Sequence, residues 1–288
     1  MKISVISPDL GDATSIYRAM GPYKKLKDKF DIEFYAGKSG FFLWDTILNS
    51  DVIMLQRPYT SQHATIAQCV KSCGKKLIVD FDDQLDVVPS FNPHYEAFEK
   101  CRPHLEACVR LADVTTVSTP ALQKAVQLWG GERVEIVRNA IDDSLLKALG
   151  KRPRKKVLAW RGSNTHIADL ELAKPIIEKF ISDGYEIAFF GFRPPFSYAF
   201  KHKFYPVSDY CQYLATLDAL SPEYLVATLV DHPFNHSKSD IAAQECWAVG
   251  AKLIHNGIGE FAGLPEWQEP RKLSDMNALR IDILNSLM

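Results

Sequence analysis

Leu149-Gly150-Lys151-Arg152-Pro153-Arg154 decides the fold. Glycine, proline and three like charges in six residues exclude both a central strand and a helix interior, so this stretch marks a boundary near residue 150. On either side of it, short β-branched runs alternate with longer amphipathic segments, the pattern of parallel sheets with crossover helices. Before it, strands are predicted near residues 3–7, 32–35, 52–56, 77–81, 114–118 and 135–137, with helices over 15–29, 62–73, 95–112 and 120–129. After it come strands near 157–160, 187–190, 225–230 and 252–255, with helices over 168–182, 210–220 and 240–249. In the final segment, residues 273–288, Met276, Leu279, Ile283 and Leu287 recur at three- and four-residue spacing and predict a helix packed on a neighbour. Neither half shows an internal repeat.

The composition agrees with two globular units. Of 288 residues, 47% are hydrophobic and 24% charged, which excludes a disordered, collagenous or coiled-coil chain. Residues 1–150 carry 18 basic and 19 acidic side chains and residues 151–288 carry 16 of each, so neither half has the excess that a polyanion partner needs. Lys24, Lys25, Lys27 and Lys29 read as the wet face of the first helix in preference to a phosphate track. The six cysteines form no C-x-x-C pair and are expected to be reduced core thiols, with no metal site. The start, MKISVIS, has no leader pattern, and no run of about 18 apolar residues follows, so a soluble cytoplasmic protein without a membrane span is expected.

In open α/β sheets ligands bind at the carboxyl ends of strands, so residues there carry the functional reading. The sharpest group runs from His232 through Asn235, Ser237, Lys238 and Ser239 to Asp240, then through the helical stretch from Ile241 to Gly250. Ser237 and Asp240 form a capping-box signature, and a helix amino end beside Lys238 suits a diphosphate. Glu245 has Ile241, Ala248 and Val249 at i−4, i+3 and i+4 and so projects from an apolar face. It needs a partner there, either ligand hydroxyls such as a ribose diol or an internal salt bridge. Arg161 ends an apolar strand and precedes Gly162, an arrangement suited to a bidentate phosphate contact. In the first half, Asp80, Asp82 and Asp83 end another apolar strand; acceptor binding or base catalysis, a divalent cation and a solvated loop are all open to them. The loop Ser7–Ala13 has one glycine where dinucleotide folds have three, which disfavours a dehydrogenase, and no G-x-x-x-x-G-K-[ST] occurs.

Together these residues resemble the retaining glycosyltransferases of GT-B fold, the group 1 type of the glycogen phosphorylase/glycosyltransferase superfamily, and most of all its short bacterial and phage members. The likeness rests on Ala112-Asp113 through Ser118 to Leu122, on Val134 through Asn139 to Asp142, on Arg161, on Phe234-Asn235 through Glu245 to Gly250, and on Gly257-Ile-Gly259-Glu260. The resemblance implies two Rossmann-like domains facing across a cleft, with residues 1–150 as acceptor domain and 151–288, including the terminal helix, as donor domain. It implies Arg161 and Lys238 on the donor diphosphate, Glu245 on the nucleotide ribose, and Asn235, Ser237, Ser239, Gly162, Gly257 and Gly259 around the nucleotide sugar. Asp82, near the reacting sugar, becomes the candidate to orient or deprotonate the acceptor. Ser237 replaces the family's first glutamate, Arg138 and Ala140 replace a proline and a glycine, and His166 stands nearest to the usual lysine after the arginine.

The implied activity is transfer of a hexose from UDP- or GDP-hexose to a glycan or small-molecule hydroxyl, with retention and without a required metal. A modified DNA base is the less favoured acceptor. A catalytically silent nucleotide- or glycan-binding module and a sugar-nucleotide epimerase of the same fold are the alternatives.

Overall fold

The structure is a computed structural model that describes residues 1–37 and 43–288. Six parallel strands, β1 (Lys2–Ser7), β2 (Asp31–Ala36), β3 (Val52–Gln56), β4 (Lys76–Phe81), β5 (Val114–Val117) and β6 (Val134–Ile136), form a sheet in the order β2-β1-β3-β4-β5-β6. A second parallel sheet contains β7 (Lys155–Gly162), β8 (Glu186–Gly191), β9 (His202–Pro206), β10 (Pro222–Ala227) and β11 (Lys252–His255), in the order β11-β10-β7-β8-β9. In each sheet the chain order reverses once, between β1 and β3 in the first and between β7 and β10 in the second. Those are the points where such sheets open a crevice at their carboxyl ends.

The helices in the first half are α1 (Ala13–Arg18), α2 (Met20–Lys24), α3 (Leu43–Leu48), α4 (Ser61–Ser72), α5 (Tyr95–Phe98), α6 (Arg102–Leu111), α7 (Pro120–Leu128) and α8 (Asp143–Ala148). Then come α9 (Ile167–Ser182), α10 (Tyr210–Leu220), α11 (Pro233–His236), α12 (Ile241–Ala248) and α13 (Leu273–Asn285). No helix among the described residues is long and apolar enough to cross a membrane.

Sheets covered on both faces bury their central strands, and the two faces sort by alternation. Ile53, Leu55, Leu77 and Val79 pack under α4, α6 and α7, whereas Val52, Met54 and Ile78 join Ile3, Val5, Tyr23 and Leu26 on the other side. Ile283, Leu284 and Leu287 belong to that second cluster. The terminal helix, expected with residues 151–288, is therefore folded onto the first sheet. A further apolar cluster of Tyr17, Ile141, Leu149, Tyr210, Leu214 and Ala248 joins the two halves.

The short helices α3, α8 and α11 stand outside the sequence expectation, and four further elements differ from it, each for a local reason. The helix predicted over 15–29 breaks at Ala19, because Gly21-Pro22 follows and a Cβ at Gly21 would stand 2.1 Å from the Ile16 carbonyl oxygen. The helix over 95–112 splits at residues 99–101, where Pro103 opens α6. The strand expected over 225–230 runs from Pro222 to Ala227, leaving 228–230 as loop. Strand β9 escaped notice because His202-Lys-Phe-Tyr-Pro206 is a half-exposed edge that ends in proline.

Candidate active site

The carboxyl ends of both sheets face one cleft of about 580 Å³, lined from α1 and the segments after β3 and β4 on one side and from β7, β10 and α12 on the other. Both reversal points of strand order open into it. Asp82, Arg161, Gly162, Asn235, Lys238, Ser239 and Glu245 all line it.

Arg161 and Glu245, read separately from the sequence, form an ion pair. Arg161 Nε lies 2.8 Å from Glu245 Oε2. Tyr213 donates its hydroxyl to the same oxygen at 3.1 Å, and Tyr17, reaching across from α1, donates to Oε1. The internal salt bridge is thus the partner that the apolar face of α12 required. Burial and the adjacent Glu245 charge push the Tyr17 and Tyr213 phenols well above their ordinary value, so both remain hydrogen-bond donors. Burial works against the Arg161 charge, but Glu245 overcomes it and raises that pKa. Among the described residues none accepts a hydrogen bond from the two terminal nitrogens of Arg161, so they remain available to the cleft.

The first-half aspartates separate into two roles. Asp80 is buried beneath the sheet end, gripped by Arg18 Nε at 3.0 Å and Nη2 at 2.5 Å and by Thr116 Oγ1 at 2.6 Å. Asp82 and Asp83 reach the cleft, bridged by Arg57, whose Nε is 2.6 Å from Asp82 Oδ1 and whose Nη2 is 2.6 Å from Asp83 Oδ2. Burial pushes the Asp82 carboxyl up to about 6 against the pull of Arg57. Asp83 is buried as well, but Lys238 and Arg57 outweigh that and hold it below the usual carboxylate range. Lys238 sits over the Phe234 ring, 4.5 Å from its centroid, with its ammonium 3.7 Å from Asp83 Oδ1.

Arg57 is the residue that sequence reasoning missed. It follows apolar β3 directly, so the strand-end rule that found Arg161 and Asp82 applies to it too. Its φ of +49° is costly for a side chain with a Cβ, by about 1–2 kcal/mol, and fixes the guanidinium over the two aspartates. Tyr17 and Tyr213 carried no comparable signal, since their partner lies on a helix distant in sequence.

The capping box read from Ser237 and Asp240 does not form. Ser237 closes α11, donating Oγ to the Phe234 carbonyl, while its own carbonyl accepts from Thr119 of the other half at 2.9 Å. Asp240 precedes α12 but its carboxylate is taken by Arg271 and Gln244. Ser237, Gly257 and Gly259 do not line the cleft. Gly259 instead lets the backbone pass Asn235 and His236, whose carbonyl oxygens would each be 2.9 Å from a Cβ there. Asn235 anchors its loop, donating to Asp169 at 3.2 Å and to the Val230 carbonyl at 3.0 Å. Ser239 accepts from Asn139 across the halves at 2.9 Å. His166, whose pKa is lowered by burial, bonds Asp169 at 2.8 Å. Gly162 lies against the indole of Trp160, where a Cβ would come within 2.7 Å. No group of three or more metal-ligating side chains is assembled among the described residues.

No protein-family model matches the sequence, and no curated protein matches it either. Solved structures do. Sucrose-phosphate synthase from Thermosynechococcus elongatus superposes with a TM-score of 0.63 at 14% identity, covering 99% of this chain and 90% of that one. The chain has the GT-B fold. An alpha-glucosyltransferase in complex with UDP and a 13-mer DNA containing a central A:G mismatch matches equally at TM-score 0.63, with 12% identity and coverage of 99% and 90%. UDP-GlcNAc 2-epimerase from Neisseria meningitidis, bound to UDP-GlcNAc, shares the GT-B arrangement at TM-score 0.56 and 7% identity, covering 99% of this chain and all of that one. One GT-B frame thus carries transfer and epimerisation alike, and the chemistry has to be argued from the site.

Proposed function

We propose that this protein transfers a hexose from a UDP- or GDP-linked donor to an acceptor hydroxyl, with retention at the anomeric carbon. The observation that carries this reading is the meeting of Arg161, Lys238 and the start of α12 on one wall of the cleft, opposite Asp82 and Arg57. A departing diphosphate needs charge neutralisation above all, and the terminal nitrogens of Arg161 with the Lys238 ammonium supply it in a partly dry site. On this reading residues 1–150 hold the acceptor and residues 151–288 the donor, with α13 returned to the acceptor side.

The bond between the anomeric carbon and the diphosphate oxygen breaks, its electron pair leaving with the nucleoside diphosphate. The acceptor oxygen bonds that carbon from the same face that the diphosphate leaves, which retains the configuration, and gives its proton to the Asp82 carboxylate, which Arg57 orients. Glu245 receives a ribose hydroxyl in place of the Tyr17 donor, so nucleotide binding and the contact between the halves draw on one carboxylate.

Nucleotide release and transfer measured over UDP- and GDP-hexoses test the reading, with Arg161→Ala and Glu245→Ala as controls. Turnover that disappears in both variants is expected; no release from any donor overturns it. Interconversion of the sugar without an acceptor would establish an epimerase instead. Two observations favour a silent binding module: Glu245 is already satisfied by three partners, and Ser237 is turned out of the cleft. Nucleotide binding with no turnover on any donor is that module's signature.

A further inference from the structure

Beyond Asp82 the cleft continues into a lobe that the donor chemistry leaves unused. Leu85, Val88, Pro89, Phe91 and Phe98 line it from the chain between β4 and α6, and Tyr59 lines it from the loop after β3. Leu85, Val88 and Pro89 are buried, and the Tyr59 and Phe98 rings pack with centroids 4.8 Å apart, so this wall is prebuilt. Phe91 is different. Its side chain is 50% exposed, and its ring meets His232 of the opposite half at 6.2 Å, edge on. A half-exposed phenylalanine at the mouth of a concave, otherwise packed apolar wall is the arrangement of a ligand platform.

The charges around the lobe select the ligand. Arg57, the cation bordering it, is neutralised by Asp82 and Asp83, and along the chain that supplies Ala97 and Phe98 the exposed Glu96 and Glu99 outnumber Lys100. Among the described residues lining the lobe, a polyanion would meet carboxylates and a guanidinium already paired with two of them. A sugar ring satisfies both halves of the lobe, since its C–H face stacks on aromatic rings while its hydroxyls reach Asp82, His94 and Asn92.

We infer that this lobe is the acceptor subsite and that it takes an uncharged glycoside, whose hydroxyl is presented to Asp82 with a ring face on Phe91. The inference rests on the transferase reading, and the test separates the two. Transfer would be measured to a panel of para-nitrophenyl hexosides and to a synthetic double-stranded oligodeoxynucleotide, for wild type, Phe91→Ala and Phe91→Trp. Phe91 is exposed enough that its truncation does not threaten the fold. Phe91→Ala is expected to raise the hexoside KM about tenfold with the donor KM unmoved, and Phe91→Trp to restore it. An unchanged hexoside KM, no transfer to any hexoside by a preparation that does release nucleotide, or preferred transfer to the oligonucleotide overturns the inference and leaves the transferase reading standing. Failure to release nucleotide from any donor removes both.

Discussion

Arg161 and Glu245 show how a single contact constrains two roles. Truncating Arg161 strands a carboxylate that is 2% exposed with only two phenols for company, so Arg161→Ala should lose about 3 kcal/mol of stability as well as at least a hundredfold in turnover. Adding Glu245→Gln to that variant removes the stranded charge and should recover most of the stability, read by urea denaturation, without recovering activity. Asp82 gives a pH prediction of definite sign. With its carboxyl at about 6, transfer should rise as pH increases from 5 to 7, and Asp82→Asn should abolish that rise. Stability runs the other way: between the ordinary 3.8 and about 6 the unfolded chain has released a proton that the fold still holds, so this group weakens the fold as pH climbs through that window. Melting temperature against pH, compared for wild type and Asp82→Asn, checks it. Strand ends pointed to Arg161 and Asp82, helix periodicity to Glu245 and a helix amino end to Lys238, and all four line the cleft. That Arg161 would pair with Glu245 was not legible, because β7 and α12 meet only through tertiary packing, and Arg57 was overlooked at a position that the strand-end rule covers.

At the level of elements, the turn between α1 and α2 and the terminal helix carry the most consequence. The approach of Gly21 to the Ile16 carbonyl turns the chain immediately after Tyr17 and Arg18, the two side chains that grip Glu245 and Asp80. Gly21→Ala should therefore cost more than 2 kcal/mol and impair turnover together, whereas Gly74→Ala, where a Cβ meets nothing within 4 Å, should touch stability only through its φ of +68°. Leu284, fully buried in the first sheet's core, predicts a loss of about 3 kcal/mol for Leu284→Ala, measured by urea denaturation. Sequence periodicity announced that helix and its apolar stripe correctly. It could not say which sheet the stripe would meet, since an amphipathic face specifies burial and not an address. The edge strand β9 was invisible for the complementary reason, its half-wet residues lacking the apolar run that marked its neighbours.

For the molecule as a whole, the alternation on either side of residue 150 was enough to foresee two parallel sheets and a shared cleft, and the GT-B neighbours agree with it. A nucleotide held by both Arg161 and Glu245 should stabilise the chain by about 2.7 kcal/mol at a hundred times its Kd, seen as a rise in melting temperature. A screen of UDP, GDP and ADP that moves nothing would speak against the donor site. The return of α13 to the first sheet has one more consequence. The chain crosses between the halves twice, once through residues 138–154 and once through the segment before α13, where Ile141 and Leu273 exchange backbone hydrogen bonds with their neighbours across the two crossings. A backbone cut near residue 150 should therefore leave two fragments still held together, because α13 of the second stays packed on the sheet of the first.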